Sequence, residues 1–184
     1  MKLFTVLSSL ALLATTYAFP SIDGSVAIIK SDAVQGFVWF TSVKKCGSSG
    51  SSVRYAFHVP ATANQTEYTY HIHEFPVGEN NNCTATGGHY DPLKVNVQKD
   101  TYKCDPAQPT TTCEVGDLSG KHGKLVPKSD KPIAAGEYTD ADVHLTGDNS
   151  IAGRSVVVHN AAGDRIGCGN IVQVTPQNLG ELKL

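Results

Sequence analysis

No stretch beyond the first twenty residues keeps a helical period, whereas short β-branched and aromatic runs recur with turn residues between them. The runs are Ser25–Ile29, Gly36–Ser42, Val53–Val59, Glu67–His73, Ala141–Leu145, Ser155–His159 and Gly169–Val174. Such spacing predicts an all-β sandwich or barrel. The 17 glycines and 9 prolines supply the turns. Between the fourth and fifth runs, Glu74 to Asp117 is broken throughout by Pro76, Asn80-Asn81-Asn82, Gly87-Gly88, Asp91-Pro92, Pro106 and Pro109. A loop of that length needs a function or a clamp. Ser119–Glu137 reads as a solvated connection and Gly47–Ser52 as a flexible hairpin loop.

Charge and hydropathy then exclude whole classes. Fifteen Lys+Arg against seventeen Asp+Glu leave no basic surplus to neutralise phosphates, so no nucleic acid partner is expected. No internal run approaches the roughly 20 apolar residues of a transmembrane segment. Lys2, the apolar stretch Leu3 to Leu13 and Thr16-Tyr17-Ala18 read instead as a signal peptide over 1–18, with a single domain over 19–184. Secretion makes the five cysteines candidates for disulfides. Five choices of the odd cysteine and three pairings of the rest leave the connectivity open. Two sequons, at Asn64 and Asn82, suit a secreted chain, and Asn64 is the expected glycosylation site.

The chemistry lies in the histidines. On the run Glu67–His73, alternation puts Thr69, His71 and His73 on one face and Tyr68, Tyr70 and Ile72 on the other. Their Cβ atoms then stand about 6.5–7 Å apart, which lets both ring nitrogens converge on one ion. His89 follows in a Gly-Gly-His-Tyr-Asp-Pro turn, and His159 ends the run Ser155-Val156-Val157-Val158. His58 and His144 read as strand-surface residues, and Trp39 as packing.

These elements resemble the copper/zinc superoxide dismutase family: His71-Ile72-His73-Glu74-Phe75, Cys83 before Gly87-Gly88-His89-Tyr90-Asp91-Pro92, Gly116-Asp117-Leu118, Gly153-Arg154-Ser155-Val156-Val157-Val158-His159, and Arg165 before Gly167-Cys168-Gly169-Asn170. The resemblance implies a Greek-key β-sandwich or barrel of about eight antiparallel strands. It also implies one copper per chain on His71, His73, His89 and His159, superoxide as substrate, and Arg165 as the residue that attracts it. The implied disulfide is Cys83–Cys168; Cys104–Cys113 is then a plausible second, leaving Cys46 free.

Two departures point to a copper-only relative. No histidine lies between His89 and Asp117, and Glu114 stands where the family places its last zinc histidine, so zinc is not expected. Only Asn160-Ala161-Ala162-Gly163-Asp164 separate His159 from Arg165, where zinc-containing relatives insert a long charged loop. The pattern is similar to the fungal extracellular copper-only superoxide dismutases. Glu114 and Asp117 become candidate acceptors that orient His89 and relay protons, and His122 is a remote candidate for a zinc ligand. The expected product is secreted, with cell-wall association open, and no anchor signal is read in Ile171–Leu184. Monomer or weak dimer stays open, and a copper-buffering protein or an adhesive sandwich are the other readings.

Overall fold

The computed structural model describes residues 24–45, 48–60, 65–97, 101–128, 132–178 and 180–182. The expected leader, Cys46 and Asn64 lie outside them. Seven strands form one antiparallel sheet: β1 Gly24–Lys30, β2 Gln35–Lys45, β3 Ser48–His58, β4 Thr69–His73, β5 Ile133–Asp140, β6 Ser155–His159 and β7 Arg165–Gln173, in the order β4-β6-β7-β1-β2-β3-β5. The sheet curls until its two ends meet. Tyr70 of β4 and Tyr138 of β5 are joined through their hydroxyls at 3.0 Å, and the Tyr55 ring of β3 lies 5.4 Å from that of Tyr70. Within the curl, Val38, Phe40, Val53, Phe57, Ile72, Val156 and Val158 are excluded from water and form the core, the dominant favourable contribution to such a fold.

A one-turn helix, α2 (Leu118–His122), lies along the seam where another strand would close the barrel; α1 (Pro109–Thr112) precedes it. The Ser119 hydroxyl accepts from the Tyr70 amide at 2.7 Å and donates to the Tyr70 carbonyl at 3.1 Å, so one side chain satisfies a backbone pair that a ladder would otherwise serve. Tyr68 pairs with Leu125 on the same edge. On the other side, Lys121 and His122 reach Asp140 at the end of β5, at 2.6 and 2.7 Å. The helix thus staples β4 to β5.

Three sequence expectations fail here. Ser119–Glu137 is not a solvated connection: it contains most of α2, the fully buried Leu125 and the first half of β5. Its strand hides because only Ala134 and Asp140 of β5 are buried. Ala141–Leu145 is not a strand: Asp140 Oδ1 accepts from the amides of Asp142 and Val143, which turns the chain out of the ladder. His144 accordingly sits in a loop, bridged to Ser150. The expected flexible loop Gly47–Ser52 is strand from Ser48 on, where β3 begins, and its Ser51 is fully buried, donating to the Val143 carbonyl at 2.9 Å.

Candidate metal centre

β4 carries His71 and His73 on one face, opposite Val157 and Ser155 of β6, while Thr69 opposes His159. Alternation therefore brings three histidines to one side of two neighbouring strands. The fourth arrives on a loop that behaves like a further strand. Phe75 and Glu74 donate to the carbonyls of Thr86 and Gly88, and Tyr90 donates to that of Ile72, which lays His89 beside His73. Gly116 completes this edge, exchanging hydrogen bonds with Ile72 and Tyr90. A Cβ there would meet the Ile72 carbonyl oxygen at 2.3 Å, so the approach requires glycine.

The four rings are packed together. His71 stacks on His89 at 3.9 Å between centroids, and His73 on His159 at 5.4 Å. One nitrogen from each converges, all four within 4.8 Å of one another. The other nitrogens are held from outside: His73 Nδ1 donates to the Gly87 carbonyl at 3.1 Å, His159 Nδ1 to the Gly163 carbonyl at 3.0 Å, and His89 Nδ1 to Glu114 Oε2 at 2.6 Å. His71 Nε2 faces Asp117 Oδ1 at 3.5 Å. These contacts fix the tautomers and aim the lone pairs inward. His71 Nδ1 is buried with no hydrogen-bond partner, a costly state that an ion would relieve. Burial, then the neighbouring imidazoles, push His71 far below the ordinary imidazole value, and burial with His89 holds His73 at about 3. His159 is lowered mainly by burial. Those three rings are therefore held neutral and competent as ligands, and an all-imidazole donor set suits copper.

The tight hairpin Asn160–Asp164 supplies the Gly163 carbonyl, with Gly163 at φ 87°. It is the short segment between β6 and β7, where Asn160 Oδ1 accepts from the amides of Ala162 and Asp164. Arg165 follows. Its two terminal nitrogens donate to the carbonyls of Cys83 (2.7 Å), Thr84 (3.2 Å) and Gly87 (2.6 Å) and to Thr86 Oγ1 (2.9 Å), and its charge contributes to lowering His73 and His159. The same loop is bonded covalently: Cys83 joins Cys168 of β7. A second disulfide joins Cys104 to Cys113.

A zinc ion bridged by His89 would need its Nδ1, and there the Glu114 carboxylate already lies, itself 4% exposed. Glu114 Oε1 accepts from Asn96 Nδ2 at 2.6 Å, and Asp117 is engaged by the Gly120 amide at 2.7 Å and the Tyr102 hydroxyl at 2.9 Å. His122 is turned away onto Asp140 and Tyr138. This donor set does not fit zinc. Asn96 and Tyr102 carry no motif signal and were invisible in the sequence. His58 is exposed at the end of β3, and Trp39 lies on the outer face of β2, half-buried, donating to Thr41.

Comparison with known proteins agrees with this geometry. The chain is 41% identical over 106 residues to Cell surface superoxide dismutase [Cu-Zn] 4 of Candida albicans, covering 56% of this chain and 40% of that one. It is 39% identical to Cell surface Cu-only superoxide dismutase 5 of the same organism, covering 56% and 41%. The chain thus spans about two fifths of the length of these relatives. Over 142 residues it is 32% identical to Superoxide dismutase [Cu-Zn] of Yarrowia lipolytica, covering 76% of this chain and 80% of that one. The solved structure of Candida albicans Superoxide Dismutase 5 (SOD5), Cu(II), superposes with a TM-score of 0.68 at 29% identity, covering 84% of this chain and 94% of that one. Residues 34–171 match the family described as Copper/zinc superoxide dismutase (SODC). With the curled sheet, the histidine tetrad and this match in agreement, the chain belongs to the copper/zinc superoxide dismutase family.

Proposed function

We propose that the chain is a copper-only superoxide dismutase of the cell exterior, made with a leader over 1–18, a mature domain over 19–184 and a glycan at Asn64. The observation that carries the reading is Glu114 Oε2 at 2.6 Å from His89 Nδ1, in the place a bridging zinc would need. His71 Nδ1 and the Nε2 atoms of His73, His89 and His159 would hold the metal. Copper bound there would supply the one-electron redox chemistry by which two superoxide ions become oxygen and, with two protons, hydrogen peroxide.

The chain's own residues do the rest. Arg165 sets a fixed positive charge beside His73 and His159 and draws a small anion toward the rings. Glu114 and Asp117 hold His89 and His71 in orientation, and the proton on His89 Nδ1 lies on a hydrogen bond to Glu114 along which it can move. The five-residue hairpin before Arg165 leaves the approach short.

Loading the zinc-free protein with copper tests the reading. The expected result is one copper per chain, a Cu(II) spectrum of four nitrogens, and superoxide consumption that His71→Ala abolishes together with copper retention. Stoichiometric copper without superoxide consumption would make the protein a copper buffer. No stoichiometric copper would make it a structural sandwich.

A further inference from the structure

The two carboxylates that touch the histidines are not independent. Tyr102 lies between them: its hydroxyl accepts from the Glu114 backbone amide at 3.0 Å and donates to Asp117 Oδ2 at 2.9 Å. Glu114 in turn reaches His89 Nδ1, and Asp117 Oδ1 faces His71 Nε2. A single phenol therefore bonds the carboxylate that faces one ring and the backbone of the residue whose carboxylate holds the other. Among the described residues its ring is only partly buried and lies outside the hydrophobic core cluster, and its hydroxyl makes both of these bonds.

The covalent framework explains how a loop residue comes to stand there. Cys104 and Cys113 are joined nine residues apart, with Cα atoms 4.4 Å from one another. Tyr102 lies two residues before the first cysteine and Glu114 one residue after the second. Closing this ring draws the phenol back against the Glu114 amide. A second clasp, the Asp105 amide on Thr112 Oγ1 at 3.0 Å, spans the same turn. Asn96 fixes the outer carboxylate oxygen of Glu114, and its own amide is tied to Asp91 Oδ2 at 2.9 Å.

We propose that Tyr102 is a positioning residue, clamped by the Cys104–Cys113 ring, that couples Glu114 to Asp117 and so fixes the relative orientation of His89 and His71. The inference rests on the reading of the tetrad as a copper site. Tyr102 does for this centre what an ion shared between His89 and the aspartate would do elsewhere: it ties the two rings' outer partners into one rigid unit.

The test uses the full chain loaded with copper. Tyr102→Phe removes the hydroxyl and keeps the ring. The expected result is a changed Cu(II) electron paramagnetic resonance spectrum, in its g values and parallel copper hyperfine splitting, and copper transfer to a chelator faster by about tenfold, the lower end for outer partners of metal ligands. Cys104→Ser with Cys113→Ser keeps the hydroxyl but frees it, and shifts both readouts in the same direction. Adding Tyr102→Phe to that pair adds little, because the three act as a unit. Thr110→Ala, on the same loop but bonded to Asp142, changes neither. Tyr102→Leu, which removes the ring as well, should alter the spectrum as much as Tyr102→Phe, since only the hydroxyl matters.

An unchanged spectrum and copper-loss rate in Tyr102→Phe, where Glu114→Ala alters both, overturns the inference and leaves the proposed activity standing. If the Phe variant does not fold, an unchanged spectrum in the double serine variant overturns it instead. A copper-loaded wild-type chain that consumes no superoxide would sink the activity without touching the spectral comparison.

Discussion

Two imidazoles in this molecule lie against buried carboxylates at almost the same distance, His122 on Asp140 at 2.7 Å and His89 on Glu114 at 2.6 Å. The surroundings set them apart. At Asp140 the counter-charge is built into the chain, with Lys121 Nζ at 2.6 Å and both side chains almost wholly buried. The Asp140 carboxylate also caps two amides, and His122 is stacked on Tyr138 at 3.8 Å. At His89 the other nitrogen points toward three further rings whose free lone pairs converge. A carboxylate–imidazole contact alone therefore says little about function. One cluster completes its charge from within and closes a barrel; the other, on the proposed reading, receives its charge from an ion.

Removing Lys121 should break the comparison most severely. Lys121→Ala leaves Asp140 buried without its ammonium partner, and about 3–5 kcal/mol of stability should be lost in chemical unfolding. The Cu(II) spectrum of the protein that remains folded should be that of the wild type. A spectrum altered as much as the stability would show that the two clusters are one.

Glu114→Ala and Asp117→Ala, made separately, act on the other cluster and should have the reverse signature. Copper affinity or turnover should fall by about 10–100-fold, as for the outer partners of metal ligands, while unfolding midpoints of the metal-free protein move far less than in Lys121→Ala. Unchanged copper retention and turnover in both variants would discard the role of these carboxylates.

The smallest effect is set by acid. Burial opposes ionisation of Asp140, but His122 and Lys121 more than offset it and hold its carboxyl at about 2, below the ordinary 3.8. The unfolded chain binds this proton first, so the contribution is complete above pH 4 and disappears as pH falls toward 2. About 2 kcal/mol is at stake. The stability difference between wild type and Asp140→Asn should shrink over that interval, and a constant difference would show that Asp140 is not so perturbed.

The legible parts of the sequence were those in which local pattern and chemistry agree. β1, β2 and β6 alternate or run apolar between turns, and the four histidines stand in short motifs whose spacing reflects strand geometry. β5 was missed because most of its side chains are small or solvent-facing, with full burial confined to Ala134 and Asp140; its place is fixed by pairing with β3. Ala141–Leu145 has the alternation of a strand, but a side-chain cap from Asp140 outcompetes the ladder. Ser119 replaces backbone partners with one hydroxyl, a substitution no periodicity announces. Asn96 and Tyr102 act through tertiary contacts created by a loop and a disulfide, so they leave no local mark.

The four hydrogen bonds that seat Arg165 have a consequence for kinetics on the proposed reading. A guanidinium anchored this way behaves as a stationary electrode: its potential is present before any anion arrives, and no rotamer has to be frozen on encounter. Discrimination then rests on the size and charge of what diffuses in, and added electrolyte should slow capture without disturbing the electrode itself.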